Sequence, residues 1–211
     1  MKSMMKRWLL LFIVLLLSNP FVDASSVPAK KVKQSVSLWS NIFDNFHVVQ
    51  KGKIYRSWQL SPSNLAYYIK RHGIKTIINL RGAKKNELWW HLEKTTSRLH
   101  NAVHYDVSMS AYTFPTRNSL KKLLYIYKFA EQPILIHCLS GADRTGEAAA
   151  VWKLAIEKQN KDEALKQLSP WYHHIGWKAP KKQEFIKMWQ GIEWALKRYF
   201  PPDQISSEEK K

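Results

Sequence analysis

A cysteine and an arginine separated by five residues, Cys138 and Arg144, are the side chains best suited to chemistry in this chain. They lie in the stretch His-Cys-Leu-Ser-Gly-Ala-Asp-Arg-Thr-Gly, residues 137–146, between a short apolar run and an alanine-rich segment. That order predicts a strand, a tight loop and a helix, whose first N–H groups and positive dipole end favour an anion. Such a field lowers a thiol pKa from about 8.5 toward about 3.5–7.5, and an arginine fork holds two phosphate oxygens. The stretch therefore indicates phosphoryl transfer to sulfur.

The same stretch resembles the signature loop of the protein tyrosine and dual-specificity phosphatases, His-Cys-x5-Arg-Ser/Thr, and its ending is similar to loops of phosphoinositide phosphatases and atypical bacterial members. The resemblance extends from about Asn45 to Trp177, and segments 53–57 and 73–81 look like early strands of the bacterial enzymes. It implies a cysteine-phosphatase fold and a phosphoric monoester hydrolase that needs no cofactor.

The resemblance also implies roles for the loop residues. Cys138 attacks phosphorus while Arg144 and the loop N–H groups hold the oxygens, and water then hydrolyses the phosphocysteine. His137 is expected to fix the loop geometry, and Thr145 either donates its hydroxyl to the sulfur or satisfies the first helical turn. The predicted phosphate-binding residues are Leu139, Ser140, Gly141, Ala142, Asp143 and Arg144.

Two aspartates are candidates for the general acid. Asp106 lies 32 positions before Cys138, near the spacing of the family's acid, but it falls inside an alternating, strand-like run. Asp143 adjoins Arg144, and similar Asp-Arg loops of phosphoinositide phosphatases use that aspartate as the acid. A neighbouring phosphate dianion favours the protonated carboxyl by charge repulsion, which suits an acid. The sequence favours Asp143, with Asp106 or a purely structural Asp143 as the alternatives.

The loop departs from the lipid phosphatases at two positions. Several of those enzymes carry basic residues where this chain has Leu139 and Ala142. Charge for neighbouring phosphates is therefore expected from residues elsewhere: Arg81, Lys84, Lys85, His173, His174 and Lys178. Simple surface exposure is the alternative for the two histidines. Their spacing with Asp106 is not that of metal ligands, so no metal is predicted.

The N-terminal residues 1–24 have the pattern of an export signal, with basic residues before a short apolar core. That core, 8–17, is shorter than the about 20 residues of a membrane span, so cleavage is predicted and an uncleaved anchor is the alternative. A lead-in segment at 25–41, a phosphatase domain at 42–200 and a disordered tail at 201–211 follow. The protein is expected to be periplasmic or secreted.

The chain is strongly basic, with a formal net charge of +18 and a single cysteine. The charge favours anionic partners: a phosphorylated protein, an anionic phospholipid or an inositol phosphate, with an anionic membrane surface as a further candidate, whereas nucleic acid is not expected. One cysteine excludes an internal disulfide. The alternative function is a non-catalytic protein that binds phosphate or polyanions and retains the loop.

The pattern of elements predicts an α/β domain with a central, mostly parallel sheet and helices on both faces. Strands alternate with helices along the chain, and the loop at a strand's carboxyl end lies where such sheets bind ligands. Residues 86–99 are predicted to form a helix with Trp89, Trp90 and Leu92 near its apolar side. Residues 181–199 are predicted to form one terminal helix.

Overall fold

The computed structural model describes residues 43–203. The predicted export signal at 1–24 and lead-in at 25–41 lie outside the described residues, as do residues 204–211 of the predicted tail. Those assignments therefore stay predictions. Among the described residues, no helix combines the length and apolar character needed to cross a bilayer.

A five-stranded sheet forms the centre of the described part. Its strands are β1 (His47–Gln50), β2 (Ile54–Ser57), β3 (Thr76–Asn79), β4 (Val103–Asp106) and β5 (Ile134–His137). They are arranged in the order β1-β2-β5-β3-β4. Only β1 runs antiparallel to its neighbour, β2, and the other pairs are parallel. The predicted mostly parallel sheet is confirmed.

Helices connect the strands and cover the sheet. They are α1 (Pro62–His72), α2 (Leu88–Leu99), α3 (Arg117–Phe129), α4 (Asp143–Ala155), α5 (Lys161–Leu165) and α6 (Pro180–Met188), with a 3₁₀ turn at Pro170–Tyr172 and a π-helical turn at Trp194–Arg198. Local sequence explains the ends of α1, because the Ser61 hydroxyl accepts from the Asn64 N–H and Gly73 adopts a φ of 65°.

Alternate residues of the strands face two apolar clusters on opposite sides of the sheet. Ile78, Ile134 and Ile136 contact the larger cluster, which contains residues of α3, α4 and the C-terminal elements. Ile77 and Leu135 contact the smaller one, which contains residues of α1. This period of two is the expected consequence of strand geometry, and it confirms that helices cover both faces.

Two predicted helices differ in detail. The single helix at 181–199 is wrong, since α6 ends at Met188 and Gly191 takes a φ of 108° before the π-helical turn; glycine adopts such a φ with little strain. In α2, Leu92 is 41% exposed, whereas Trp90 and Glu93 are buried. That helix turns a carboxylate toward the sheet, which apolar periodicity does not reveal.

The carboxyl ends of the parallel strands meet at one edge of the sheet. Ser57, His137, Asn79 and Asp106 are aligned in register across β2, β5, β3 and β4. The loop after His137 therefore begins at the centre of this edge, where parallel sheets bind ligands.

Candidate active site

The loop of residues 138–142 connects the buried strand β5 to the first turn of α4. Gly141 has a φ of 70°, and a Cβ there would lie 2.7 Å from the backbone carbon of Ser57. No other residue fits this close approach. The loop is therefore pressed against the end of β2, with the N-terminal end of α4 directed at it.

The carbonyl groups of the loop accept hydrogen bonds from donors outside it. The Gln59 N–H donates to Leu139 O at 3.1 Å, Asn45 Nδ2 to Ser140 O at 3.0 Å, and Arg56 Nη2 to Gly141 O at 2.8 Å. Among the described residues, no backbone acceptor faces the N–H groups of Leu139, Ser140 or Ala142. The loop N–H groups are left to bind an anion.

Arg56 is the most buried of these donors. It has no exposed surface, and its Nη1 also donates to Gln167 O at 2.8 Å and to Gln167 Oε1 at 3.0 Å. Its guanidinium lies 4.0 Å from the centre of the Tyr172 ring. Burial lowers the pKa of Arg56 to about 10, although Tyr172 and Cys138 act in the opposite direction. The side chain thus remains cationic at neutral pH.

Cys138 lies beneath the loop and is 1% exposed. Burial acts to raise the pKa of its thiol, but the Arg144 charge, the Thr145 hydroxyl and the N–H groups of Thr145 and Gly141 outweigh it, so the pKa is lowered. The Thr145 hydroxyl has no oxygen or nitrogen partner among the described residues. The sulfur therefore lies beneath the N–H groups of the loop, in surroundings that favour its thiolate form.

Two arginines lie close to this sulfur. Arg144 is partly exposed, and its Nε is buried without a partner among the described residues. Burial lowers the pKa of Arg81, as does the charge of Arg144, while Cys138 raises it. Arg81 donates to Gln59 Oε1 at 3.1 Å and stacks 3.7 Å above the Trp89 ring. The predicted Lys84 and Lys85 follow it and are exposed.

His137 and Glu93 form a buried ionic network behind the loop. His137 Nε2 lies 3.0 Å from Glu93 Oε1, and His104 Nε2 lies 2.7 Å from the same oxygen; Gln59 Nε2 donates to Glu93 Oε2. Burial acts to raise the pKa of Glu93, but His137 and His104 hold it well below its usual range. Burial acts to lower the pKa of His137, but Glu93 raises it. The network fixes His137 directly before the cysteine.

The two candidate acids have different surroundings. Asp106, two strands from His137, accepts through Oδ1 from Asn79 Nδ2 at 2.8 Å and from Trp90 Nε1 at 2.9 Å. Asp143 begins α4 beside Arg144, and its Oδ1 lies 2.7 Å from His174 Nδ1. Their side chains are 18% and 24% exposed.

The remaining predicted basic residues are divided between surface and interior. His173 and Lys178 are exposed, whereas His174 is fully buried. The alternative interpretation, simple surface exposure, is therefore wrong for His174. Within residues 43–203, no group of three or more histidine, cysteine, aspartate or glutamate side chains is arranged to hold a metal ion, and the absence of a required metal remains a prediction.

Sequence reasoning did not single out Asn45, Arg56 or Glu93. Arg56 lies in a strand segment already noted for its resemblance to phosphatases, and a charged residue directly after Ile54 and Tyr55 was the one available signal. Asn45 and Glu93 carry no local signal, because their partners are distant in the chain.

Residues 30–187 match the family model PTP-NADK, described as a DSP-PTPase phosphatase fused to NAD+ kinase. Among solved structures, P. aeruginosa TpbA superposes with a TM-score of 0.58 at 16% identity, covering 74% of this chain and 90% of that one. A cysteine-to-serine form of TpbA in complex with phosphotyrosine gives a TM-score of 0.58 at 16% identity, covering 73% and 89%. The core catalytic domain of the PP-IP phosphatase SIW14 from S. cerevisiae gives 0.57 at 26% identity, covering 79% and 93%. No curated protein matches the sequence.

Proposed function

The chain belongs to the PTP-NADK family of DSP-PTPase phosphatases and is a phosphoric monoester hydrolase, and we propose that it works through a phosphocysteine formed on Cys138. In the first displacement the thiolate attacks phosphorus while Arg144 and the loop N–H groups hold the three equatorial oxygens. In the second, water cleaves the sulfur–phosphorus bond and releases inorganic phosphate.

The observation that carries this proposal is the outward orientation of the loop carbonyls. Because Gln59, Asn45 and Arg56 each bind one of them, the loop enters the reaction with its donors already directed at the phosphoryl group. Such preorganised donors stabilise developing charge without reorganising during the reaction. The Arg144 charge, the Thr145 hydroxyl and the loop N–H groups lower the pKa of Cys138 and so favour the thiolate nucleophile.

Asp143 is the general acid in this proposal. Asp106 accepts two N–H bonds through a single oxygen, which hold it against Asn79 and Trp90 at the end of β4, two strands from His137. Asp143 lies on the first turn of α4 next to Arg144, and its second oxygen has no partner among the described residues. It therefore has an oxygen available for the leaving group.

The proposed substrate is a phosphoprotein, a phosphoinositide or an inositol phosphate. A second arginine near the sulfur, Arg81, favours substrates that carry adjacent phosphate groups. Arg81 is close enough to Arg144 and Cys138 for their charges to change its pKa. It can therefore bind a phosphate beside the one being transferred. SIW14, similar to this chain, is a PP-IP phosphatase. TpbA, similar in fold, has been solved with phosphotyrosine.

We further propose that the enzyme is exported to the periplasm or secreted after cleavage of residues 1–24. The basic residues and short apolar core at the N-terminus support this. Mass spectrometry of the protein from the envelope and medium tests it, since the proposal requires an N-terminus near residue 25. A cytoplasmic enzyme with an intact N-terminus would contradict it.

Phosphate release across a panel of substrates tests the reaction. Wild-type enzyme should hydrolyse an aryl phosphate without added divalent ions, be inhibited by vanadate and form a covalent phosphoenzyme that rapid quenching traps. The variant Cys138→Ser should lose turnover but still bind inorganic phosphate. A Cys138→Ser enzyme with wild-type rates would overturn the mechanism, and binding without any turnover by the wild-type enzyme would favour a non-catalytic role.

A comparison of two arginine variants tests the substrate class. Arg81→Gln should lower kcat/KM by about 10-fold more for an inositol polyphosphate than for an aryl phosphate, because one bidentate ion pair is lost. Arg98→Gln, on the exposed side of α2, is the matched control and should change neither. Equal losses on both substrates, or a preference for phosphotyrosine peptides, would favour phosphoproteins.

A further inference from the structure

A buried imidazole lies against the carboxyl proposed above as the general acid. His174 has no exposed surface, and its Nδ1 is 2.7 Å from Asp143 Oδ1. We propose that His174 is a positioning residue that holds Asp143 for proton transfer. This inference rests on the proposed function and adds to it a residue that touches neither substrate nor sulfur.

The hydrogen on His174 can be placed from its surroundings. Its Nε2 is buried and has no hydrogen-bond partner among the described residues. A hydrogen on that nitrogen would be a buried donor without an acceptor, which is more costly than a bare nitrogen there. The contacts therefore place the ring hydrogen on Nδ1, directed at Asp143 Oδ1.

The segment that carries His174 is tied to the same groups that hold the loop. The N–H of His174 donates to Ser169 O at 3.2 Å. In the preceding 3₁₀ turn, the carbonyl of Tyr172 accepts from Asn45 Nδ2 at 3.3 Å, and the Tyr172 ring lies over Arg56. Because Asn45 and Arg56 also bind the loop, they fix the position of His174 relative to Asp143.

Other charged groups also face this carboxyl. Arg144 is the next residue, and Glu147 lies one turn along α4, close enough for the charge of Asp143 to raise its pKa. Lys182 of α6 pairs with Glu147 at 2.9 Å. Since Lys182 is engaged by Glu147 and His173 is exposed, the Nδ1–H of His174 is the donor that sets the orientation of Asp143.

The proton then follows a closed cycle. As the bond from Cys138 Sγ to phosphorus forms and the ester P–O bond breaks, the free oxygen of Asp143 gives its proton to the leaving oxygen. The resulting carboxylate keeps its bond from His174 Nδ1–H. When water attacks the phosphocysteine, Asp143 takes a proton from it, the P–S bond breaks, and the acid is regenerated. His174 loses and gains no proton.

Two asparagine variants form a matched pair for the test. In His174→Asn the side-chain amide places an N–H donor where imidazole Nδ1–H lies, whereas His174→Ala removes it. The control is His100→Asn, because His100 lies at the C-terminal end of α2, which leads into β4 at the end of the sheet opposite the loop. Steady-state rates are measured on p-nitrophenyl phosphate, whose leaving group needs little protonation, and on an alkyl phosphate, whose leaving group depends on the acid.

His174→Ala should lower kcat by about 10-fold more on the alkyl ester than on the nitrophenyl ester, a part of the about 10²–10⁴ that general acids supply. The basic limb of its pH–rate profile should move to higher pH, because a carboxylate without its donor holds a proton more tightly. His174→Asn should restore both properties. In an Asp143→Asn background, His174→Ala should cause no further loss.

Equal losses on the two esters, an unmoved basic limb or multiplicative losses in the double variant would overturn the proposal while leaving the cysteine mechanism intact. Failure of that mechanism shows itself separately, as turnover by Cys138→Ser. If His174→Ala does not fold, ¹⁵N NMR of the wild-type imidazole decides the matter. The proposal requires the neutral Nδ1–H form at pH 7, and a hydrogen on Nε2 would refute it.

Discussion

Replacing Arg56 with methionine tests whether this buried arginine keeps the loop ready for catalysis. The guanidinium is fully buried and donates to Gly141 O at 2.8 Å, Gln167 O at 2.8 Å and Gln167 Oε1 at 3.0 Å. Methionine is similar in length but offers no N–H group. The Arg56→Met variant therefore leaves these three acceptors, and Ala142 O at 3.5 Å, without their donor and frees the Gly141 carbonyl to rotate.

The size of the effect follows from these contacts. A buried acceptor left without a partner costs about 1–3 kcal/mol, and loss of a buried charge that also has an unpaired Nε offsets part of this. A net loss of about 3 kcal/mol corresponds to a Tm lower by about 6–12 °C in a domain of this size. Loss of oriented N–H donors typically lowers kcat by about 10²–10³, so kcat on an aryl phosphate should fall by about 100-fold.

Three measurements on Arg56→Met separate stability from catalysis. Calorimetry gives Tm, phosphate release below the variant's Tm gives kcat, and the pH dependence of iodoacetamide alkylation gives the pKa of Cys138, which should rise. The control is Arg71→Met, in the exposed last turn of α1, which should match wild type in all three. If Arg56→Met lowers Tm but keeps kcat and the thiol pKa, Arg56 stabilises the fold without organising the loop, and the reasoning fails.

Three further substitutions, one of them with a matched control, give separate expected outcomes. Gly141→Ala places a methyl group 2.7 Å from the Ser57 backbone and should abolish turnover, while Gly52→Ala, with a φ of 72° but nothing within 4 Å, should lower Tm slightly and keep kcat. Glu93→Gln should cost about 3–5 kcal/mol of unfolding free energy. The pKa of Glu93 is lowered from 4.5 and that of His137 is raised from 6.5. The loss of stability should therefore be largest between pH 4.5 and pH 6.5, and it should shrink in acid as Glu93 becomes protonated. Burial raises the pKa of Glu147 from 4.5 to about 7, so wild-type stability falls as pH rises between those two values. Glu147→Gln should therefore flatten the dependence of Tm on pH. An unchanged slope in thermal melts would contradict this.

The elements that depend on neighbouring residues were predictable. The ends of α1 follow from Ser61 and Gly73, and the order of strand, loop and helix around Cys138 follows from ten consecutive residues. Each of these features places its donors and acceptors within a few positions of one another, so the sequence specifies them directly.

The parts that orient the loop were not predictable in the same way. Asn45 reaches Ser140 across 95 positions, and Arg56 reaches Gly141 across 85. Their acceptors are backbone carbonyls, which every residue type carries, so no pairing of side-chain types signals the contact. Glu93 was missed for another reason: periodicity counts apolar residues, and α2 turns a carboxylate toward the histidines at the end of the sheet.

The loop carries apolar side chains at two positions where several lipid phosphatases carry basic ones. Leu139 is 57% exposed and Ala142 is buried, and neither side chain carries a charge, so the loop itself offers backbone N–H groups and Arg144 to the phosphoryl oxygens. In the proposed function, the charge that selects among substrates comes from residues such as Arg81, which contacts Trp89 and Gln59 and lies outside the loop. Substrate preference should therefore change with substitutions around Arg81, while the rate of the chemical step follows Arg56 and the other donors that hold the loop carbonyls outward.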